Sequence, residues 1–243
     1  HEAGKQVLWL LDRFDAACQA LSATTLNTLR SLRDQFKEQL SYVAFTREPL
    51  DRLRNPAEFD EFYELMAMHT CWVQMMQQRD GLWVAEQVMK RYQVQFDETV
   101  IERGYELAGG LPAFLRATYS ALARGELHPD QDDKSWINHL LALEEMKRNC
   151  REMWQSCEEE EQETLLTIAQ RNNSTVLDSS VVAYLKNLGW LKAEKLAIFS
   201  PIFVEYLRRQ QEQMGILGLR GNQILIDGLP TTVDFTRHEH DLL

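Results

Sequence analysis

The sequence predicts a mixed, mainly α chain: a partial parallel α/β start, a long helical middle and a short β-rich tail. Three observations predict it. Two apolar runs, Val7–Leu11 and Leu40–Phe45, flank one amphipathic stretch, Ser22–Phe36. Helical periodicity then dominates from about residue 80 to residue 213. Residues 214–243 revert to short β-prone runs broken by Gly221-Asn222 and Asp227-Gly228.

The first run, Val7-Leu8-Trp9-Leu10-Leu11, has the pattern of a buried strand and is closed by Asp12. An apolar strand ending in aspartate is how phosphate-handling α/β domains place a Mg²⁺-organising carboxylate at the carboxyl edge of a parallel sheet. Such a strand normally follows a glycine-rich phosphate loop. No G-x-x-x-x-G-K-[ST] occurs in the sequence, which begins with His1. The chain therefore reads as a piece of a larger protein, cut downstream of that loop. Leu21, Leu26, Leu29, Leu32 and Phe36 recur at helical spacing, and Leu40–Phe45 is a second strand ending in Thr46-Arg47. Together these make a β-α-β unit with parallel strands and a right-handed crossover. A third strand is predicted over Glu64–Val73, apolar on both faces as a covered strand would be.

The character changes after about residue 79. Trp83–Tyr92 and Asp97–Ala108 read as helices, and Gly109-Gly110-Leu111-Pro112 breaks the pattern. Gly109 suits a helix C-cap, and Pro112 suits the first turn of the next helix, Ala113–Ala123. Gly125–Lys134, polar and containing Pro129, is the best internal boundary. Beyond it Trp136–Cys157, Glu161–Arg171, Ser179–Leu188 and Pro201–Gln213 are helical by pattern. Gly189-Trp190-Leu191 and Ala197-Ile198-Phe199 are short enough for a two-stranded wing. Helices plus a small hairpin make a winged-helix arrangement. The expected domains are thus 1–79, 80–128, 129–213 and 214–243. In the last, Ile216–Arg220, Gln223–Ile226 and Thr232–Phe235 are the expected strands, and Thr236-Arg237-His238-Glu239 has the form of a capping box.

Composition removes several functions. A net charge of −11 argues against binding nucleic acid through bulk electrostatics. Residues 150–206 carry five basic against nine acidic side chains, so the expected winged helix repels phosphate and reads as a packing and relay element. No apolar run approaches the ~20 residues a membrane span needs. The four cysteines form no C-x-x-C pair and read as free thiols of a cytoplasmic protein, with Cys150 and Cys157 on one helix face. Glu158–Glu161 reads as a solvated helix start, favoured by the helix dipole. The tryptophans Trp72, Trp83, Trp136, Trp154 and Trp190 read as packing residues.

The order of these pieces resembles a STAND-type signal-transduction ATPase of the AAA-like branch, over roughly residues 5–210. Asp12 with its strand resembles the Walker B element, Thr46-Arg47 the sensor 1 position, and Gly110-Leu111-Pro112 the G-x-P motif, whose proline packs near base and ribose. Residues 1–79 would then be the C-terminal half of a P-loop nucleotide-binding core, and 80–128 a helical lid. The tail from Asn222 to Glu239 resembles the opening of a response-regulator-type winged-helix DNA-binding domain without its recognition helix.

The resemblance implies Asp12 and Asp15 as catalytic residues, Asp12 also as the carboxylate for nucleotide-bound Mg²⁺, and Arg47, Gly110, Leu111 and Pro112 as nucleotide contacts. Arg13 departs from the pattern, because it stands where an acidic residue often polarises water; Asp15 is the nearby carboxylate that could substitute. ATP or ADP with Mg²⁺ is the expected cofactor of the intact parent, and none is expected in this fragment, which is predicted inactive as an ATPase. The implied partners are other domains of the parent, DNA through the missing C-terminal domain, and a second copy of the chain on activation. The competing reading is a non-enzymatic helical interaction module; a stand-alone hydrolase finds no nucleophile–base pattern here.

Overall fold

The structure is a computed structural model that describes residues 6–170, 177–215, 217–220, 223–226 and 229–230, with side chains as far as residue 211. The chain divides into two compact units, 1–71 and 72–243.

In the first unit β1 (Val7–Leu11) pairs in parallel with β2 (Leu40–Ala44), in the register Val7↔Leu40 through Leu11↔Ala44. The crossover contains the expected helix, α2 (Ala23–Gln35), whose start is fixed by Ser22: its Oγ accepts the Thr25 N–H at 3.1 Å. A shorter helix that periodicity did not announce, α1 (Phe14–Ala20), precedes it. Leu50–Leu53 forms α3, and Asp60–Ala67 forms α4.

Two expectations fail in this unit. The third strand is absent, because Glu64–Ala67 lie in α4 and residues 71–77 have no regular structure. The decisive spacing is Phe59, Phe62, Tyr63 and Met66, which puts these residues on one helical face against Phe14, Cys18 and Leu26. Nor is β1 buried: Leu8 is 56% and Leu10 62% exposed. The buried residues come from the helices, with Phe14 at 3%, from Phe59 before α4 and from Leu40 at the start of β2, at 7%.

The second unit is helical. α5 (Gln78–Tyr92), α6 (Glu98–Ala108) and α7 (Pro112–Ala123) follow one another, and α5 packs along α7. The span expected as one helix over Trp136–Cys157 is two, α8 (Asp133–Ala142) and α9 (Glu144–Gln155). They are broken where Leu143 adopts an extended conformation with ψ 129. Cys157 lies beyond α9, so it shares no helix face with Cys150. α10 (Glu159–Ala169) starts with a capping box in which the Glu158 N–H donates to Glu161 Oε2 at 3.0 Å. Glu161 is 3% exposed, where a solvated helix start was expected. α11 (Ser179–Asn187) is capped by Asp178, whose Oδ1 accepts the Ser180 N–H at 2.7 Å. Leu191 and Ile198 then make an antiparallel bridge before α12 (Pro201–Gly215).

One core runs through this unit, with Trp136, Tyr119, Phe114 and Phe203 fully buried. Trp136 is pinned by its Nε1–H to His128 O at 2.8 Å and by Arg103 lying 4.2 Å over its ring. Arg103 also binds Asp133, Pro129 O and Gln131 O, which anchors the polar Gly125–Lys134 loop. Trp83, by contrast, is 59% exposed and packs little. In the tail β3 (Leu217–Arg220) and β4 (Gln223–Ile226) are antiparallel, and β5 (Leu229–Pro230) pairs with β4. The strand expected over Thr232–Phe235 and the capping box at Thr236–Glu239 lie outside the described residues. Among the described residues no helix is long and apolar enough to cross a membrane.

Cys18, Cys71 and Cys150 are free, with Cys18 and Cys150 buried and Cys71 exposed. Burial pushes the Cys150 thiol up to about 12. Thiolate is the reactive form, so a maleimide at pH 8 is expected to label Cys71 in the native protein and Cys150 only after unfolding. Mass spectrometry of the labelled peptides checks this, and equal native rates at the two positions would contradict the burial.

Candidate functional site

The sequence-predicted residues fall in two places, one in each unit. In the first unit the strand ends are tied beyond the β1–β2 register. The Phe45 N–H donates to Leu11 O and the Phe14 N–H to Phe45 O, both at 2.9 Å. Asp15 Oδ1 accepts the Arg47 N–H at 2.7 Å. Arg13, between strand and helix, is left-handed at φ 52 and ψ 44. A non-glycine residue there costs on the order of 1 kcal/mol or more and persists where its surroundings fix it. Here the reversal turns Phe14 into the core and leaves Asp12 and Arg13 exposed at the carboxyl edge of the parallel pair.

The structure thus brings Asp15 and Arg47 together through carboxylate and backbone amide. One Asp15 oxygen is committed to holding the start of the Arg47 loop. Among the described residues no three metal-ligating side chains cluster. Asp12 can hold Mg²⁺ only in the way Mg²⁺ is usually held, by one carboxylate together with waters and the oxygens of a phosphate ligand.

In the second unit the α6–α7 turn is built from left-handed glycines. Gly109, at φ 66, caps α6 by donating its N–H to Tyr105 O at 2.8 Å. Gly110, at φ 82, is buried, and its carbonyl accepts the Met76 N–H at 2.9 Å. Leu111 is half-buried against the main core, and Pro112 is exposed at the first position of α7. Of the three residues expected at nucleotide, Gly110 is engaged with its own chain, and the Pro112 ring is the surface the turn offers.

Sequence reasoning missed what holds this turn. Tyr105 Oη donates to Met76 O at 2.7 Å, and Ser200 Oγ, fully buried, donates to Leu107 O at 2.6 Å. Phe199 presses on Gly109, where a Cβ would stand 2.3 Å from its carbonyl oxygen. Two adjacent glycines signal close backbone approach, but no local pattern names the approaching residues.

No family model matches the chain, and no curated protein matches it. Among solved structures it is similar to a Walker-type ATPase of Pyrococcus abyssi, with a TM-score of 0.52 and 14% identity, over 84% of this chain and 63% of that one. The chain therefore spans less than two-thirds of the length of that protein. At this identity the likeness is one of fold: the chain has an ATPase-like fold, mainly helical, with a small parallel sheet in its first unit.

Proposed function

We propose that this chain is part of a nucleotide-regulated signal-transduction ATPase of the STAND type, acting as a conformational switch in a transcriptional regulator. One observation carries the reading most. Asp12 is exposed directly after a strand paired in parallel with the strand that leads to Thr46-Arg47, in a chain whose fold is similar to that of a Walker-type ATPase.

In this reading the ligand of the intact parent is ATP or ADP with Mg²⁺. Asp12 organises the ion beside the phosphates, Arg47 meets the nucleotide, and Pro112 offers its ring to base and ribose. Asp15 keeps one oxygen for water, since the other holds the Arg47 amide. With Arg13 in the position of a water-polarising acid, the parent works first as a switch that reads nucleotide state. The bridge and helices from α8 to α12 form a winged-helix-like relay, acidic and unsuited to DNA, which is left to another domain of the parent. Activation by self-association in the cytoplasm completes the proposal.

The test is a pair of substitutions in the intact parent. Asp12→Asn removes the charge that organises Mg²⁺, so it should weaken Mg-ATP by about tenfold or more, about 1.4 kcal/mol, and metal-free ADP far less. Pro112→Ala loosens the turn at base and ribose, which both nucleotides share, so it should weaken ATP and ADP alike. Calorimetry of both variants decides: the wild-type ATP-to-ADP ratio in both would overturn the placement of the motifs.

A further inference from the structure

The chain entering the helical unit does not run free into α5. Residues 72–77 have no helix or strand, yet they are held along their length. The Met76 N–H donates to Gly110 O, Tyr105 Oη donates to Met76 O, and Gln74 Nε2 donates to Asn187 O. Trp72 meets the ring of Tyr184 edge-on at 5.6 Å. Two glycines make room for this path. A Cβ on Gly110 would stand 2.4 Å from Met76 O, and one on Gly189 would stand 3.1 Å from Met75 N and Gln74 Oε1. Met75 and Met76 pack against the main core, while Val73 is 86% exposed.

The segment is therefore laid across two elements far apart in sequence: the α6–α7 turn on one side, and α11 with its following turn on the other. Irregular backbone and a solvated edge, here exposed Val73, Gln74 and Gln77, are the features of elements that open before a core does. We infer that Trp72–Gln77 is a releasable strap whose seating holds the Gly109-Gly110-Leu111-Pro112 turn in place. Release of the strap then loosens that turn, and because coupling is reciprocal, a change at the turn loosens the strap. That the signal concerns nucleotide rests on the proposed function; the strap and its coupling do not, and they are tested without nucleotide.

Three alanine variants of the full chain separate release from strain. Gly110, Gly189 and Gly125 all have positive φ, at 82, 75 and 72, so each substitution carries left-handed strain. Only the first two put a Cβ against the strap, since nothing lies within 4 Å of one on Gly125. In residue-resolved hydrogen exchange, the Met76 amide should exchange about tenfold faster in Gly110→Ala and Gly189→Ala. It should keep its wild-type rate in Gly125→Ala, and the interior of α7 should keep its protection in all three. Two milder variants, Gln74→Ala and Tyr105→Phe, unfasten the strap without straining the backbone, and should speed exchange of the Gly109 amide as well as that of Met76. The inference is overturned if Met76 exchanges in Gly110→Ala as it does in Gly125→Ala. It is equally overturned if Gln74→Ala and Tyr105→Phe free the strap but leave Gly109 as in wild type, or if strap and α7 interior exchange only together.

Discussion

Gly109→Ala is expected to destabilise the helical unit by about 3 kcal/mol, and so to lower its melting temperature by roughly 10 °C. Two costs add. At φ 66 an alanine carries the left-handed penalty, about 1–2 kcal/mol. Its Cβ would also stand 2.3 Å from Phe199 O, 2.6 Å from the carbonyl carbon and 2.7 Å from the Phe199 ring. That backbone cannot easily yield. The Phe199 N–H donates to Trp190 O at 3.0 Å, and the next residue is fastened by Ser200 Oγ to Leu107 O. Forcing an atom into such a contact costs a further ~1–3 kcal/mol. Gly125→Ala is the control, for it has φ 72 and open space, and should cost only the backbone strain. Urea melts of the two variants decide the matter, and equal losses would mean that Phe199 does not bear on the turn.

This turn also shows where reading the sequence stops. The helix before it, the glycine cap and the proline opening α7 were legible because each is a local device: periodicity, a left-handed residue, a fixed φ. So was the parallel pair β1–β2, because a helix lies between its two strands. The same local logic misled at Glu64–Val73, where an apolar stretch permits both periods and the choice was made by Phe59 and Phe62 finding Phe14 and Leu26. It was silent on α1, whose start depends on the left-handed Arg13. An apolar run such as Val7–Leu11 states that a strand will form, not what will cover it, and here Leu8 and Leu10 face solvent. At the candidate site the position of Asp12 followed from its strand. The Asp15–Arg47 bond, the Met76–Gly110 bond and the Ser200–Leu107 bond are long-range contacts with no local signature.

Phe62→Ala should cost about 4 kcal/mol and unfold the first unit while the helical unit stays folded. The core of residues 1–71 is small, with Phe14, Cys18, Leu26, Phe59 and Phe62 as the residues packed at its centre. Phe62 is fully buried, and its ring lies 5.7 Å from that of Phe14. Truncating such a residue removes its transfer energy and leaves a cavity, for about 3–5 kcal/mol, with the ring pair adding about 0.5–1.5 kcal/mol. A folded unit of this length has a total stability of roughly 4–10 kcal/mol, and with so small a core this one sits toward the lower end, so the loss takes most of it. Half of the β1–β2 pair is already solvated and supplies little reserve. The consequence reaches the site, because Phe14 directly follows Asp12-Arg13 and its N–H holds Phe45 O. As Phe14 leaves the core, the left-handed turn at Arg13 loses what fixes it, and the Asp15–Arg47 bond goes with it. Hydrogen exchange should show the Phe14 and Phe45 amides unprotected and those of α7 unchanged. Phe62→Leu, nearly volume-conserving, should cost less than about 1.5 kcal/mol and keep both sets protected. If the α7 amides lost protection in step with Phe14, residues 1–71 would not be a folding unit of their own, and Asp12 would owe its position to more than the Phe14–Phe62 core.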